Sequence, residues 1–547
     1  MTASRHGRAR CRGRLLAAGA VAAALLAACA LGAPAVARAD EALLPGPDDV
    51  GDPGLSEEEV AQIAEPELDP TDEGAALPGD EPVGAELASR LDAFLDEAFP
   101  ACGMPGVAVA VVDADGVRYL RCLGDVTSED RTFVVGSLSK SMTAVAVMQL
   151  AEEGLVDLDG PACSYAPETG VPVSVTVRDL LNQTSGFGYF ESLAGASVGE
   201  SAGSFSYANA NYDLLGRIVE DVSGLGLGTY LRERVFSPLG MDDASAGDEP
   251  ERAPRAEGHR SWFGAWVADG FEHGEGDDAW GGPASGYVRA SVSDMAAYLR
   301  MYLNSGCAAP GGARVLSAGS VHRMIFSRVP DPAGDTYYGM GWTTYSWDDG
   351  ELVMSHDGQV ENYVARMCAI PGRDLGVVVL ADGNDEFGGN EAFFSLADGA
   401  TAIAVGGRAD PADVVPPLGE HVRYDVLYAL AVLLCALPLA WGALRRRRGS
   451  RRAPRALPAL LLHMAAPVYL LGVPPLLTGM RWRDFAAFYP DQALVLLACA
   501  ILLLAGGLVG LSGNARRSGA QGVAAPLDRL GGAGARVVGA HEVGERL

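Results

Sequence analysis

Apolar residues run unbroken from Gly106 to Val112, the short polar turn Asp113-Ala114-Asp115-Gly116 follows, and a second run opens at Val117. Two runs joined by an Asp-Gly turn predict a β-hairpin. From Phe133 to Leu150 the pattern changes: Val145, Met148 and Leu150 among alanines suit a buried helix that ends near Gly154 and carries Ser137 at its N-terminus. Further on, 212–220 reads as a helix and 375–380 as a strand. Beyond residue 425 charge disappears from three long stretches, Val426 to Leu444, Ala456 to Met480 and Gln492 to Leu511. Each is long enough to cross a bilayer core as a helix.

Charge divides the 547 residues into blocks. Residues 1–39 hold 6 basic and no acidic groups, 40–422 hold 20 basic and 64 acidic, and 423–547 hold 15 basic and 6 acidic. The total of -29 argues against nucleic acid or an anionic lipid surface as a partner, because both demand a cationic face. The first block has an Arg-rich start, an apolar run and the small-residue site Ala37-Arg38-Ala39, which predicts a secretory signal peptide over 1–39. Leu26-Ala27-Ala28-Cys29 offers lipidation at Cys29 as the alternative. Residues 40–83 are acidic and proline-rich, a composition that predicts a disordered stalk. A folded domain is expected over 84–407, a linker over 408–425, three transmembrane helices (426–444, 456–480, 492–511) and a tail over 512–547. Seven arginines between the first two apolar stretches mark a cytoplasmic loop by the positive-inside rule. The chain is thus expected to be a multi-pass protein of the cell membrane, with 84–407 on the extracellular side. His463 and the prolines of the second stretch leave a transport path open beside plain anchoring. Five cysteines fall in the folded domain, so at most two disulfides form there, with Cys102 and Cys122 the favoured pair and buried thiols the alternative. No Cys/His spacing resembles a zinc site, and neither a metal nor a cofactor is expected. Nothing in the sequence speaks to oligomeric state.

Ser137 and Lys140 are three apart and share a helix face, so an amine can reach a hydroxyl. A serine nucleophile needs a base, and a desolvated lysine can lose its proton near neutral pH. Of the 41 basic residues, 40 are arginine; Lys140 is the single lysine. Arginine cannot serve as a base, so lysine stands where this chemistry requires it. A compositional bias that left one lysine at random is the competing explanation. Two more triplets follow: Tyr207-Ala208-Asn209 before a helix, and His356-Asp357-Gly358 before a strand.

At these residues the chain resembles the serine β-lactamase and penicillin-binding-protein superfamily, in its branch of class C β-lactamases, DD-carboxypeptidases and related esterases. The resemblance runs from about Ala85 to Val405 and includes Leu180-Leu181-Asn182-Gln183-Thr184-Ser185-Gly186, Phe236-Ser237-Pro238-Leu239-Gly240-Met241 and Tyr338-Gly339-Met340-Gly341-Trp342. It implies an α/β (α+β) fold of the β-lactamase/transpeptidase type, with about five mostly antiparallel strands flanked by helices and a helical subdomain. It further implies that Ser137 attacks an acyl group while Lys140 and Tyr207 share the proton transfers. Asn209 would orient Lys140 or a substrate amide, His356 would line the facing strand, and the backbone N–H groups of Ser137 and Gln359, after Gly358, would hold the oxyanion. Gln183 stands where a histidine is common, and Asn362 where glycine is. Asp357 replaces the usual threonine: pointing into the cleft it would repel a substrate carboxylate, whereas pointing away it would be solvated or paired with an arginine.

The expected activity is that of a membrane-anchored serine hydrolase acting through an acyl-enzyme on a small-molecule or peptide substrate: a cell-wall peptide, a D-amino-acid derivative or an ester. Two alternatives compete. One is a slow-acylating sensor without turnover. The other is an α/β-hydrolase using Gly199-Glu200-Ser201-Ala202-Gly203, which lacks the preceding strand that such an elbow needs.

Overall fold

The computed structural model describes residues 83–247, 249–274, 276–332, 334–347, 350–448 and 456–521. The expected signal peptide, the acidic stalk up to residue 82, most of the arginine-rich loop and the tail beyond Gln521 lie outside them.

Helix α1 (Val83–Cys102) leads into the hairpin β1 (Gly106–Val112) and β2 (Val117–Gly124), then β3 (Thr132–Val134), α2 (Ser139–Glu152) and α3 (Asn209–Ser223). After β4 (His259–Trp262), β5 (Ala265–Val267) and β6 (Arg289–Ser291) come α4 (Val292–Leu303) and the succession β7 (Val329–Pro330), β8 (Tyr337–Gly339), β9 (Trp342–Ser346), β10 (Leu352–Val360), β11 (Tyr363–Ile370) and β12 (Leu375–Ala381), before β13 (Gly383–Asn384) and α5 (Gly389–Ala404). Among the described residues the main sheet has eight strands in the order β2-β1-β12-β11-β10-β9-β8-β7, antiparallel throughout. The resemblance implied about five. The additional strands β7 to β9 are two to five residues long, too short to show a period of alternation.

Strand β1 is buried along its whole length, which explains its unbroken apolar run. Ala108, Ala110 and Val112 face a core shared with α2, and Val107, Val109 and Val111 face a second core under α1 and α5. Cys102 belongs to that second core whereas Cys122 packs on the first, so the sheet separates the expected disulfide pair and both thiols are free. In α2 every residue from Ser139 to Leu150 is buried, so the helix shows no polar stripe and takes Lys140 into the interior with it. Of β10, only 352–355 pair with β9; among the described strands, the stretch from His356 onward has β11 on one side and no neighbour on the other.

The C-terminal part meets the expectation of three membrane-spanning helices only in part. Two described helices are long and apolar enough to cross a membrane, Pro411–Arg447 and Pro490–Val509. The middle stretch is helical from Ala456 to Thr478 through a π-helical turn at Leu461–Ala465, but its apolar helix, Pro458–Gly472, is shorter. A helix also continues past the third apolar stretch to Gln521, since extending a formed helix costs little. By compactness the chain forms two units. One holds the residues up to Ala431 together with Gly472–Leu496, and the other holds Val432–Leu471 and the residues from Leu497.

Candidate active site

A 3-10 turn, Gly136–Leu138, opens α2 and carries Ser137. Two glycines let β10 approach it. A Cβ on Gly136, whose φ is +59, would lie 2.4 Å from the backbone nitrogen of Gln359, and one on Gly358 would lie 2.1 Å from the carbonyl oxygen of Val135. Only bare backbone fits at that crossing, and it brings the N–H of Gln359 beside the start of the Ser137 turn.

Lys140 is fully buried one helical turn on. Its Nζ donates to Ser137 Oγ at 3.0 Å, Asn209 Oδ1 at 2.7 Å and the carbonyl oxygen of Ser285 at 2.6 Å. The Tyr207 ring covers it, with Nζ 4.7 Å from the ring centroid. Burial pulls the ammonium down to about 7 from its usual 10.5, against the opposite pull of the Asp213 carboxylate. The Ser285 carbonyl is held in place because Thr143 Oγ1 donates to the carbonyl of Ala284 at 2.8 Å and the Val288 N–H donates to Ser139 Oγ at 3.1 Å.

Tyr207 sits among aromatic rings, 5.8 Å from Tyr189, 5.8 Å from Tyr338 and 6.3 Å from His356 between centroids. His356 is buried, its Nδ1 is 2.7 Å from the carbonyl of Asp357 and its Nε2 is 3.4 Å from the Tyr338 hydroxyl. Burial and the neighbouring Lys140 push it down to about 4, so the imidazole is neutral near pH 7. The site therefore gathers Ser137, Lys140, Tyr207, Asn209, His356, Gly358 and the backbone of Gln359. The Gln359 side chain is tied away, its Nε2 donating to Asn384 Oδ1 at 3.1 Å and to Glu386.

Asp357, expected as a substrate contact, turns its side chain away from them. Alternation along β10 turns its side chain to the opposite face from His356, where it meets Arg366, its direct partner on β11. Of the two orientations open to the sequence, the arginine-paired one is observed. The Gly199 to Gly203 motif lies in a chain of turns, with neither strand nor helix beside it.

Two contributors, Asp213 and Ser285, escaped the sequence reading, and a third, Gln183, stands out there only as a departure from the family pattern. Asp213 is four residues after Asn209 on α3, a spacing that puts both on one helix face and could have revealed it. Burial pushes its carboxyl up to about 6. Gln183, at φ +60, accepts from the Ala208 N–H at 3.0 Å and from Asn211 Nδ2, fixing the loop that delivers Tyr207. Ser285 acts through its carbonyl, which no side-chain motif announces. Among the described residues no cluster of His, Cys, Asp and Glu could hold a metal ion.

Comparison with known proteins gives several matches. The family described as Beta-lactamase matches residues 87–400. Penicillin-binding protein 4 of Amycolatopsis lactamdurans is 32% identical over 342 residues, 55% of this chain and 85% of that protein. Protein flp of Staphylococcus aureus (strain MRSA252) is 24% identical over 330 residues, which cover 54% of this chain and 63% of flp, just under two thirds. Among solved structures, the octameric penicillin-binding protein homologue from Pyrococcus abyssi aligns at 24% identity and a TM-score of 0.49, over 60% of this chain and 79% of that one. D-amino acid amidase from Ochrobactrum anthropi SV3 aligns at 21% identity and a TM-score of 0.47, over 59% and 98%. With more than half its length matched by the family, and with 85% of an Amycolatopsis relative covered, the chain belongs to the Beta-lactamase family within the serine β-lactamase and penicillin-binding-protein superfamily.

Proposed function

We propose that this chain is a membrane-anchored, extracytoplasmic serine hydrolase of the class C-like branch, working through an acyl-enzyme on Ser137. The observation that carries the proposal is the 3.0 Å contact between Ser137 Oγ and the buried Nζ of Lys140. A lysine that loses its proton near 7 has a neutral fraction large enough at physiological pH to act as a base. In the first half-reaction the amine takes the Ser137 proton as Oγ bonds to the substrate carbonyl carbon. The carbonyl oxygen becomes an oxyanion, held by the N–H groups of Ser137 and Gln359. As the carbon–heteroatom bond breaks, the proton passes from Lys140 by way of Tyr207 to the leaving group. Water then enters, gives its proton to the same relay, and releases the acid while Ser137 is reprotonated. Asn209 holds the amine at 2.7 Å, and neutral His356 supports the aromatic surround of Tyr207. Candidate substrates are cell-wall peptides, D-amino-acid derivatives, simple esters and, from the name of the Amycolatopsis relative, penicillins.

The membrane arrangement has its own support. Residues 472–496 pack with the hydrolase domain although they follow a long apolar helix and the arginine-rich loop. A chain that leaves through 418–447 must return before residue 480, which favours 456–478 as a further crossing and the arginine loop on the cytoplasmic side.

The test is turnover of the purified full chain on p-nitrophenyl esters, D-alanyl-D-alanine peptides and a chromogenic cephalosporin, beside labelling by a serine-directed fluorophosphonate. Ser137→Ala is expected to abolish both, and Ser201→Ala to leave both largely intact. Labelling lost in the Ser201 variant alone would overturn the assignment. A stable adduct with no product would indicate a sensor in place of a hydrolase.

A further inference from the structure

The segment between the last two apolar stretches is bound to the hydrolase domain by several independent contacts. Helix α6 (Trp482–Phe488) and the residues around it form a cluster in which Phe485, Tyr489 and Met480 are buried against Phe190 and Phe387. Arg481 and Arg483 donate to the backbone carbonyl of Asp278, Arg481 also to Ser192 Oγ, and Arg260 donates to the carbonyl of Ala487 at 3.0 Å. The same segment reaches an aromatic row that begins in the active site. Tyr207 is followed by Tyr189 at 5.8 Å, Tyr189 by Trp280 at 5.9 Å, and Trp280 by Phe190 at 5.3 Å and Phe488 at 5.4 Å. Trp280 also adjoins the lysine's support: a Cβ on the next residue, Gly281, would lie 3.0 Å from Asn209 Nδ2.

We propose that residues 480–489 form one wall of the acyl-binding cleft, and that the row of Tyr189, Trp280 and Phe488 receives an aromatic ring on the acyl half of the substrate. The proposal rests on the serine hydrolase reading above. Trp280 presents its ring face to the row, because its Nε1 already donates to the backbone carbonyl of Tyr189 at 2.8 Å. Tyr189 is left 38% exposed beside Tyr207, a large apolar surface that a bound ring would cover. An apolar group gains there by burial, and an aromatic one gains further by offset or edge-on ring contacts. Asn209, to which the family resemblance gives the orienting of Lys140 or of a substrate amide, adjoins Gly281 next to Trp280, and on that neighbourhood the row is assigned to the acyl side of the scissile bond.

The experiment uses the full chain in detergent and compares p-nitrophenyl phenylacetate with p-nitrophenyl acetate, two esters that share a leaving group and differ by one acyl ring. The readout is the ratio of their kcat/KM values, which cancels any general loss of active enzyme. In Phe488→Ala the ratio is expected to fall about tenfold, as removal of one well-packed ring contact predicts. Arg481→Ala, which releases the segment from Asp278 and Ser192, should lower it in the same direction, and should either variant fail to fold the other decides. A ratio that stays at the wild-type value in the folded variants overturns the wall. Rates that survive in Ser137→Ala would instead overturn the serine reading, and so the two failures are told apart.

Discussion

The carboxylate of Asp357 and the guanidinium of Arg366 meet in two contacts, 2.6 and 2.7 Å, directly across the β10–β11 ladder. Arg366 also bonds Asp398, so the acidic residue next to His356 belongs to a structural network on the far face of the sheet. Asp357→Thr is therefore expected to cost about 1 to 3 kcal/mol by leaving part of a largely buried guanidinium unpaired. The preference between neutral and carboxylate-bearing substrates should not move. Denaturant titration and paired kinetics check this; a gain on carboxylate substrates at unchanged stability would return Asp357 to the cleft.

Lys140→Arg should be nearly as damaging as Lys140→Ala. The side chain is fully enclosed, and an arginine there would keep the charge but could not surrender a proton. A loss of about 10² to 10⁴ in kcat is expected for both, the usual span for a removed general base. Arginine activity within a few-fold of wild type would locate the proton acceptor elsewhere.

Asp213 draws the proton of Lys140 upward against burial. Asp213→Asn removes that attraction, so the amine should deprotonate more easily and the acid limb of the kcat/KM profile should move to lower pH than in the native protein. The limb shifting upward would show that Asp213 does not act through Lys140.

Gly358→Ala forces a Cβ to within 2.1 Å of the Val135 carbonyl and must push β10 off the Ser137 turn. Fluorophosphonate labelling should fall steeply. Gly116→Ala, whose new Cβ would meet nothing within 4 Å, is the control and should label normally. Equal labelling of the two would show that the approach of Gln359 is dispensable.

What the chain announces about itself is local. The Asp-Gly hairpin and the helix behind Ser137 follow from short patterns, and Lys140 stands out because arginine fills every other basic position. What stays hidden depends on partners far along the chain. The pairing of Asp357 needs the register of two strands; the separation of Cys102 from Cys122 needs to be known as two faces of one sheet. Strands as brief as β7 and β8 carry no period, and the docking of 480–489 joins residues about 200 positions apart, such as Arg481 and Asp278.

The enclosure of Lys140 also weighs on the fold. An unfolded chain holds the lysine proton up to about 10.5, whereas the folded one gives it up at about 7. Between those values the unfolded state binds more protons, so this residue makes the folded state more stable as pH rises through the window, and least favourable below it, where a charge is trapped indoors. In the proposed mechanism the base is kept ready by holding it where the native structure would rather have a neutral group. Lys140→Met should erase that slope in a plot of denaturation midpoint against pH and raise the midpoint most at pH 6, trading a reaction for a sturdier protein.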